Sequence, residues 1–280
     1  MKIAQRLSLI GLMAVVLAGC ATTAPQATEL LKAPGNVERS ARVPDVPFVE
    51  QRAGHCGPAT LTMAMRWAGH DVAVDEIAPR VMTSTTGSLQ EDMIGATRRE
   101  GLMAVRLDGF HALLNEISAG HPVIIFENLG LSWSPQWHYA IVTGYDLDRR
   151  ELVMHSGPMA DEHIDMKVFE RSWKLANYWA LAVLPIGVVA RSAGELENTR
   201  AAAGLELASK PELADVAYRA ILAGWPESLS ARVGLANVAY GKKDFRRAVS
   251  LLEEASRLHP DSDVVRHNLA VARDALTKRR

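Results

Sequence analysis

The residues best suited to chemistry begin with Cys56, which lies where a loop becomes a helix. Gly57 frees the backbone there, and Pro58 suits the start of a helix because the N–H that it lacks would have no partner. The run from Ala59 to Ala68 is apolar on most sides, which is typical of a buried helix. The amide groups and dipole at such a helix start lower a thiol pKa from about 8.5 toward neutrality. Cys56 is therefore either an activated thiolate or an ordinary buried cysteine.

A cysteine nucleophile needs a base for its proton and donors for the oxyanion of acyl transfer. Gln51 precedes Cys56 by five residues, so its side-chain amide can turn back over the helix start and donate to the same oxyanion as the Cys56 amide. His138 opens an apolar strand beside Trp137, well after the cysteine, in the order typical of papain-like sites. A histidine in this position is more often a base or a ligand than a core residue, and Gln51 is a candidate oxyanion donor.

The motif QRAGHCGPA at positions 51–59, followed by HYAIVTGYD at positions 138–146, resembles the bacteriocin-processing cysteine peptidase family. The similarity covers about residues 43–185. Membership would imply a papain-like fold and the cleavage of leader peptides after a double glycine. The resemblance also implies the roles of nucleophile, general base and oxyanion donor for Cys56, His138 and Gln51, respectively.

The sequence departs from this family at the third member of the catalytic set. The family usually places an Asp, followed by Pro, at the end of the strand after the histidine strand, and the matching position here has no carboxylate. The residues that can orient His138 instead are His155 and Ser156 by position, and Asp146 and Asn128 by chemistry. Asp146 also suits a hairpin turn. Loss of the orienting residue need not abolish activity, but a degenerate domain that only binds peptide remains an alternative.

Metal, cofactor and nucleic-acid functions have little support in this sequence. The remaining histidines show no metal-ligand spacing, and Cys20 and Cys56 are the only cysteines, so a zinc site is not predicted. The phosphate-binding pattern G-x-x-x-x-G-K-[ST] is absent. The formal net charge of −1 gives no electrostatic basis for binding nucleic acid. We predict no cofactor, no metal and no nucleic-acid partner.

Residues 1–20 predict a lipoprotein signal peptide. After a basic start comes an apolar run, residues 7–17, which is too short to span a bilayer comfortably. The segment ends at Cys20 in the letters LAGC, which resemble the lipobox of bacterial lipoproteins. The resemblance implies a lipid on Cys20 that attaches the protein to a membrane, and Ala21 favours the outer membrane, facing the periplasm. Cys56 would then have no disulfide partner within the chain.

The chain after the signal peptide divides into three predicted parts, of which the first two precede residue 188. Residues 21–42 are small, polar and proline-containing, and they predict a flexible tether. Residues 43–187 contain helices first and strands afterwards, with a hairpin over residues 138–155. This order is typical of an α+β fold with an antiparallel sheet. Together with the resemblance, it predicts a papain-like cysteine peptidase domain.

The third part, residues 190–280, is helical with a different period. An offset of about 34 residues aligns Pro226 with Pro260, and this is the period of the tetratricopeptide repeat. Arg232 stands where such repeats usually carry an aromatic, and an unrelated helical bundle is the alternative. Repeats of this type present a concave groove, so we expect this part to bind a protein partner.

The sequence thus predicts an envelope lipoprotein that hydrolyses a peptide or protein substrate through a thioester on Cys56. The alternative is a lipid-anchored scaffold that binds peptide without cutting it. An amidase or transamidase uses the same nucleophile with another acyl acceptor, and fold and nucleophile do not separate these reactions.

Overall fold

A computed structural model describes residues 23–52, 54–82 and 87–278. The predicted signal peptide and Cys20 lie outside the described residues. Among the helices that are described, none combines the length and the apolar character needed to cross a membrane.

The first described segment is docked on the protein, so the prediction of a flexible tether is wrong for residues 23–42. Helix α1 (Pro25–Lys32) buries Ala27 and Leu30 completely, and strand β1 (Ser40–Arg42) pairs with the end of a later strand. The backbone N–H groups of Gln26 and Ala27 donate to the Glu170 carboxylate at 3.0 and 2.7 Å. The two buried residues lie three positions apart on one helix face, a pattern too short to stand out in a small, polar segment.

Helices cover both faces of the sheet. On one face lie α2 (Cys56–Trp67), α3 (Val74–Val81) and α4 (Gln90–Arg99), and on the other lie α1, α5 (Gly109–Ser118) and α6 (Met166–Lys174). Helix α2 is buried from Gly57 to Met65, as its apolar sequence predicts.

The strands form one antiparallel sheet. They are β2 (Met103–Asp108), β3 (Val123–Asn128), β4 (Trp137–Asp146), β5 (Glu151–Ser156), β6 (Met159–Asp165) and β7 (Trp179–Leu184). Their order is β2-β7-β3-β4-β5-β6, and β1 adds to β4. The predicted hairpin is β4–β5, and the α+β prediction is confirmed. Strand β6 was not predicted, because its polar and mostly exposed sequence, MADEHID, lacks the apolar alternation of a half-buried strand.

Successive residues of β4 face opposite sides of the sheet. Tyr139 and Ile141 pack in the cluster under α2, whereas Ala140 and Val142 pack in the cluster under α5 and α6. His138, near the start of β4, alternates with Tyr139 and therefore leaves the strand on the Ala140 side.

The C-terminal part is helical, as predicted. Its helices are α7 (Glu195–Leu207), α8 (Pro211–Gly224), α9 (Leu229–Gly241), α10 (Phe245–Leu258) and α11 (Asp263–Lys278). Close packing is seen between α8 and α9, where a Cβ added to Gly234 would lie 2.3 Å from the Tyr218 ring.

One hydrophobic core crosses the predicted domain boundary near residue 188. Its members include Leu107, Phe110, Leu205, Ala214 and Leu235. The fully buried carboxylate of Glu116, on α5, accepts hydrogen bonds from the backbone N–H and the hydroxyl of Ser192 at 2.9 and 2.5 Å. The first helices after the boundary are therefore packed into the same core as the sheet.

Candidate active site

Cys56 is the first residue of α2 and is partly exposed. Its thiol is free, and the residue packs at the edge of the apolar cluster between α2 and the sheet. The helix begins without a hydrogen bond from a side chain at its N-cap position, and the first amide groups of a helix have no partner within it. The amide groups at this helix start can therefore donate hydrogen bonds to an anion placed there.

The first turn of α2 lies directly against β4 beside His138. A Cβ on Gly57 would lie 3.5 Å from the Tyr139 ring, and it would come within 2.4 Å of the Ser88 hydroxyl, so only glycine fits there. Thr60, one turn into the helix, donates from Oγ1 to the Tyr139 carbonyl at 3.3 Å. Burial raises the pKa of Tyr139, and the nearby Cys56 charge raises it further. The residue after Cys56 thus lies close to the residue after His138.

His138 is half-buried, and its Nε2 lies 3.1 Å from Ser156 Oγ at the end of β5. Burial lowers the pKa of His138, which favours the neutral form of the ring, the form that can accept a proton. No hydrogen bond joins this ring to the Cys56 sulfur, two groups that both lie in the described part of the chain. Hydrogen bonds of catalytic groups are often long in unliganded enzymes and tighten with substrate.

The structure places one of the four candidate orienting residues, Ser156, next to the His138 ring. His155 points away, since its Nε2 contacts the Val46 carbonyl at 3.2 Å. Asp146 accepts hydrogen bonds from two amides of the β4–β5 turn, at the far end of β4. Asn128 accepts hydrogen bonds from two amides of the β3–β4 loop.

Gln51 precedes α2, and its side chain packs against the beginning of that helix. Its Nε2 donates to Thr60 Oγ1 at 3.4 Å, and its Oε1 is buried without a hydrogen-bond partner among the described residues. Since Thr60 donates in turn to the Tyr139 carbonyl, these bonds connect the Gln51 amide, helix α2 and the start of β4. Thr60 was not predicted as part of the site, because nothing in the local sequence marks its contact with a distant strand.

Glu127 was also not predicted from the sequence as a residue near the site. It is 2% exposed, and it pairs in register with His138 across β3 and β4. Burial raises the pKa of Glu127 to about 7. The signal available in the sequence was one charged residue within the apolar run VIIFEN, but its relation to His138 depends on a strand register that the sequence did not reveal.

An apolar surface adjoins the start of β4. Trp133 is 79% exposed, and Leu129, Leu131 and Trp137 are also exposed. The Trp137 ring stacks on Phe126 with centroids 5.1 Å apart. Clustered exposed apolar side chains often mark a binding surface.

Groups of His, Cys, Asp and Glu that could hold a metal ion are not found in the described ranges. The start of α2 lies against the strand that carries His138, and β5 supplies the Ser156 hydroxyl to the His138 ring.

Residues 43–181 match the family model described as Peptidase_C39 like family. No curated protein matches this chain. Among solved structures, a C39-like peptidase from Bacillus anthracis is 17% identical with a TM-score of 0.46, over 52% of this chain and 98% of that one. A double-glycine-motif protease from an AMS/PCAT transporter, solved with a leader peptide, is 22% identical with a TM-score of 0.40, over 52% and 94%. The peptidase domain of the Streptococcus ABC transporter ComA is 18% identical with a TM-score of 0.43, over 50% and 98%.

Proposed function

We propose that the C39-like domain of residues 43–181 is a cysteine peptidase in which Cys56 is the nucleophile and His138 the general base. The observation that carries the proposal is the contact between the first turn of α2 and the start of β4. It brings together the neighbours of both residues while Ser156 holds the His138 ring.

The proposed reaction begins with transfer of the Cys56 thiol proton to His138. Because Nε2 faces Ser156, Nδ1 is the nitrogen left to take this proton. The thiolate attacks the peptide carbonyl, and the oxyanion accepts hydrogen bonds from the Cys56 amide and the Gln51 side chain. His138 then protonates the leaving amine, and water hydrolyses the thioester. Because His138 leaves β4 on the side opposite Tyr139, the proposal requires the ring and the sulfur to meet around the start of the strand.

The proposed substrate is a peptide or protein segment with apolar side chains. The support is the exposed surface of Leu129, Leu131 and Trp133 next to the start of β4. An apolar segment placed there would lie close to the proposed catalytic pair.

The proposal extends to an envelope lipoprotein, anchored by a lipid on Cys20 and located at the outer membrane. Helix α1 begins five residues after Cys20, so such an anchor would hold the domain close to the membrane. Helices α7–α11 would form a tetratricopeptide-like surface for a protein partner. Their lengths and the close packing of Gly234 on Tyr218 support this part of the proposal.

The second candidate is a scaffold that binds peptide without cutting it. It is favoured by one observation, namely that the His138 ring faces the neutral hydroxyl of Ser156, where the resemblance leads one to expect Asp.

The two functions separate when the protein is incubated with a peptide library from about pH 5 to 9 and new termini are read by mass spectrometry. A peptidase yields products that disappear in Cys56→Ala. Binding without products at any pH would establish the scaffold.

A further inference from the structure

A buried carboxyl that the proposed mechanism does not use lies on the strand next to the one that carries His138. Glu127 and His138 are register partners in the antiparallel pair β3–β4, so their side chains leave the same face with Cβ atoms about 5 Å apart. Glu127 is 2% exposed and is the only charged residue of β3. Glutamate is rarely buried this deeply without a partner.

The hydrogen bonds of Glu127 accommodate both of its protonation states. Its Oε2 lies 2.5 Å from the Ser172 hydroxyl on α6, and that hydroxyl lies 2.8 Å from the Phe169 carbonyl. A hydroxyl has one hydrogen and a carbonyl only accepts. When Ser172 donates to Phe169, the short contact requires the proton of a neutral Glu127. When Glu127 is ionised, Ser172 donates to the carboxylate instead.

The groups around Glu127 place its ionisation near neutral pH. Burial raises its pKa to about 7, the hydrogen bond from Ser172 opposes this rise, and the charge of Glu162 adds to it. Ser172 of α6 is hydrogen-bonded to Glu127, Glu162 of β6 acts on it through its charge, and His138 of β4 is its register partner. The ionisable residues of α6 are turned toward α1 and the residues just before it. They are Lys167, Glu170, Arg171 and Lys174.

We propose that Glu127 is a positioning residue whose carboxylate stabilises the His138 imidazolium formed when Cys56 gives up its proton. The inference rests on the proposed roles of Cys56 and His138. Ser156 orients the ring but carries no charge, so the negative charge is supplied from the strand on the other side of β4. In this step the Cys56 sulfur loses a proton, His138 Nδ1 gains it, and Glu127 touches neither substrate nor reacting atoms.

The direct test is an NMR titration of the His138 ring in a Cys56→Ala background, with and without Glu127→Gln. Interacting sites titrate as a pair, so with Glu127 present the ring should report two steps, one of them near the Glu127 pKa of about 7. Glu127→Gln preserves the side-chain size and a hydrogen bond to Ser172, and it should leave one step. Glu151→Gln, which removes a partly exposed carboxylate from the start of β5, should leave both steps. A His138 titration that is the same with and without Glu127 would overturn the inference.

The second readout is the rate at which iodoacetamide alkylates Cys56 at pH 6 and pH 8. Since Glu127 supports the imidazolium only when ionised, Glu127→Gln should slow alkylation about tenfold at pH 8 and less at pH 6. An equal ratio at both pH values would indicate a merely structural role and contradict the inference. If the His138 titration is coupled to Glu127 but no peptide is cleaved, the peptidase proposal is rejected and the positioning role is kept. If peptide is cleaved but the His138 titration is independent of Glu127, the positioning role is rejected and the peptidase proposal is kept.

Discussion

The hydroxyl of Ser156 is the direct partner of the His138 ring, at 3.1 Å from Nε2. It can fix the ring orientation and thereby present Nδ1 to the thiol. It cannot stabilise a positive ring as a carboxylate does, because it is neutral. Orientation and charge are thus supplied separately in this account, by Ser156 and by Glu127.

Ser156→Ala should lower kcat/KM for peptide cleavage by about tenfold, which corresponds to roughly 1.4 kcal/mol for one lost hydrogen bond. Ser156→Asp should restore or raise activity, because it adds charge to the same contact. Equal activity of Ser156→Ala and the parent protein, with unchanged stability in urea, would show that this hydroxyl does not orient the ring.

Cys56 and Gln51 could be located from sequence because their setting is local. A glycine, a proline and an apolar run define the start of α2, and Gln51 is only a few residues away. The partner of His138 could not be selected among four candidates, because that choice depends on the register of β4 and β5. This register shifts between Val142 and Gly144, a bulge that no pattern in the sequence announces.

At the scale of elements, α1 depends on a carboxylate from α6. Glu170 is fully buried and accepts hydrogen bonds from the N–H groups of Gln26 and Ala27 and from the Tyr178 hydroxyl. Burial and the bond to Glu170 raise the pKa of Tyr178 to about 12. The carboxylate therefore satisfies amides at the start of α1 that have no partner within the helix.

Glu170→Ala should release α1 from the domain. We expect the free energy of unfolding to fall by about 1.5–3 kcal/mol, the value of hydrogen bonds to a charged group. Trypsin should also cleave faster after Lys32. Glu29→Ala, on the exposed side of α1, is the control and should leave both values near those of the parent. Unchanged cleavage in Glu170→Ala would mean that α1 is held by its apolar contacts alone.

The segment between β7 and α7 is held in a similar way by Glu116. Although burial acts in the opposite direction, hydrogen bonds from His121 and Ser192 hold the pKa of Glu116 below its ordinary value of 4.5. A lowered pKa in the folded state stabilises the fold above the unfolded value, and this stabilisation is lost as pH falls through the folded value.

Glu116→Gln should therefore lower the free energy of unfolding by about 1.5–3 kcal/mol at pH 7. The difference from the parent should shrink as the pH is lowered below 4.5, and urea denaturation at several pH values measures it. A difference that stays constant with pH would show that the Glu116 charge does not contribute.

At the scale of the whole molecule, the core that crosses residue 188 makes the two predicted parts interdependent. The change of period after residue 190 suggested separate domains, but Leu205, Ala214 and Leu235 pack into the core of the sheet. Helices were predicted well because each carries its own period and end signals. The docking of one part on the other involves apolar faces that look the same in the sequence whether they meet within a repeat or against a sheet.

A chain that ends at residue 189 should lose cooperative unfolding and bind a hydrophobic dye, because it exposes the apolar face that α7–α9 cover. A chain that ends at residue 243 is the control, since α10 and α11 pack mainly in a separate small cluster with α9. It should unfold cooperatively. Equal cooperativity of the two chains would show that the sheet domain folds without these helices.

The central claim is that Cys56 and His138 act as a pair, and the pH dependence of Cys56 alkylation tests it most directly. With site-resolved mass spectrometry, Cys56 of the parent protein should be alkylated rapidly at neutral pH, and His138→Ala should remove that reactivity. If both proteins are alkylated at the same rate at every pH, the sulfur and the ring do not interact and the peptidase proposal is contradicted.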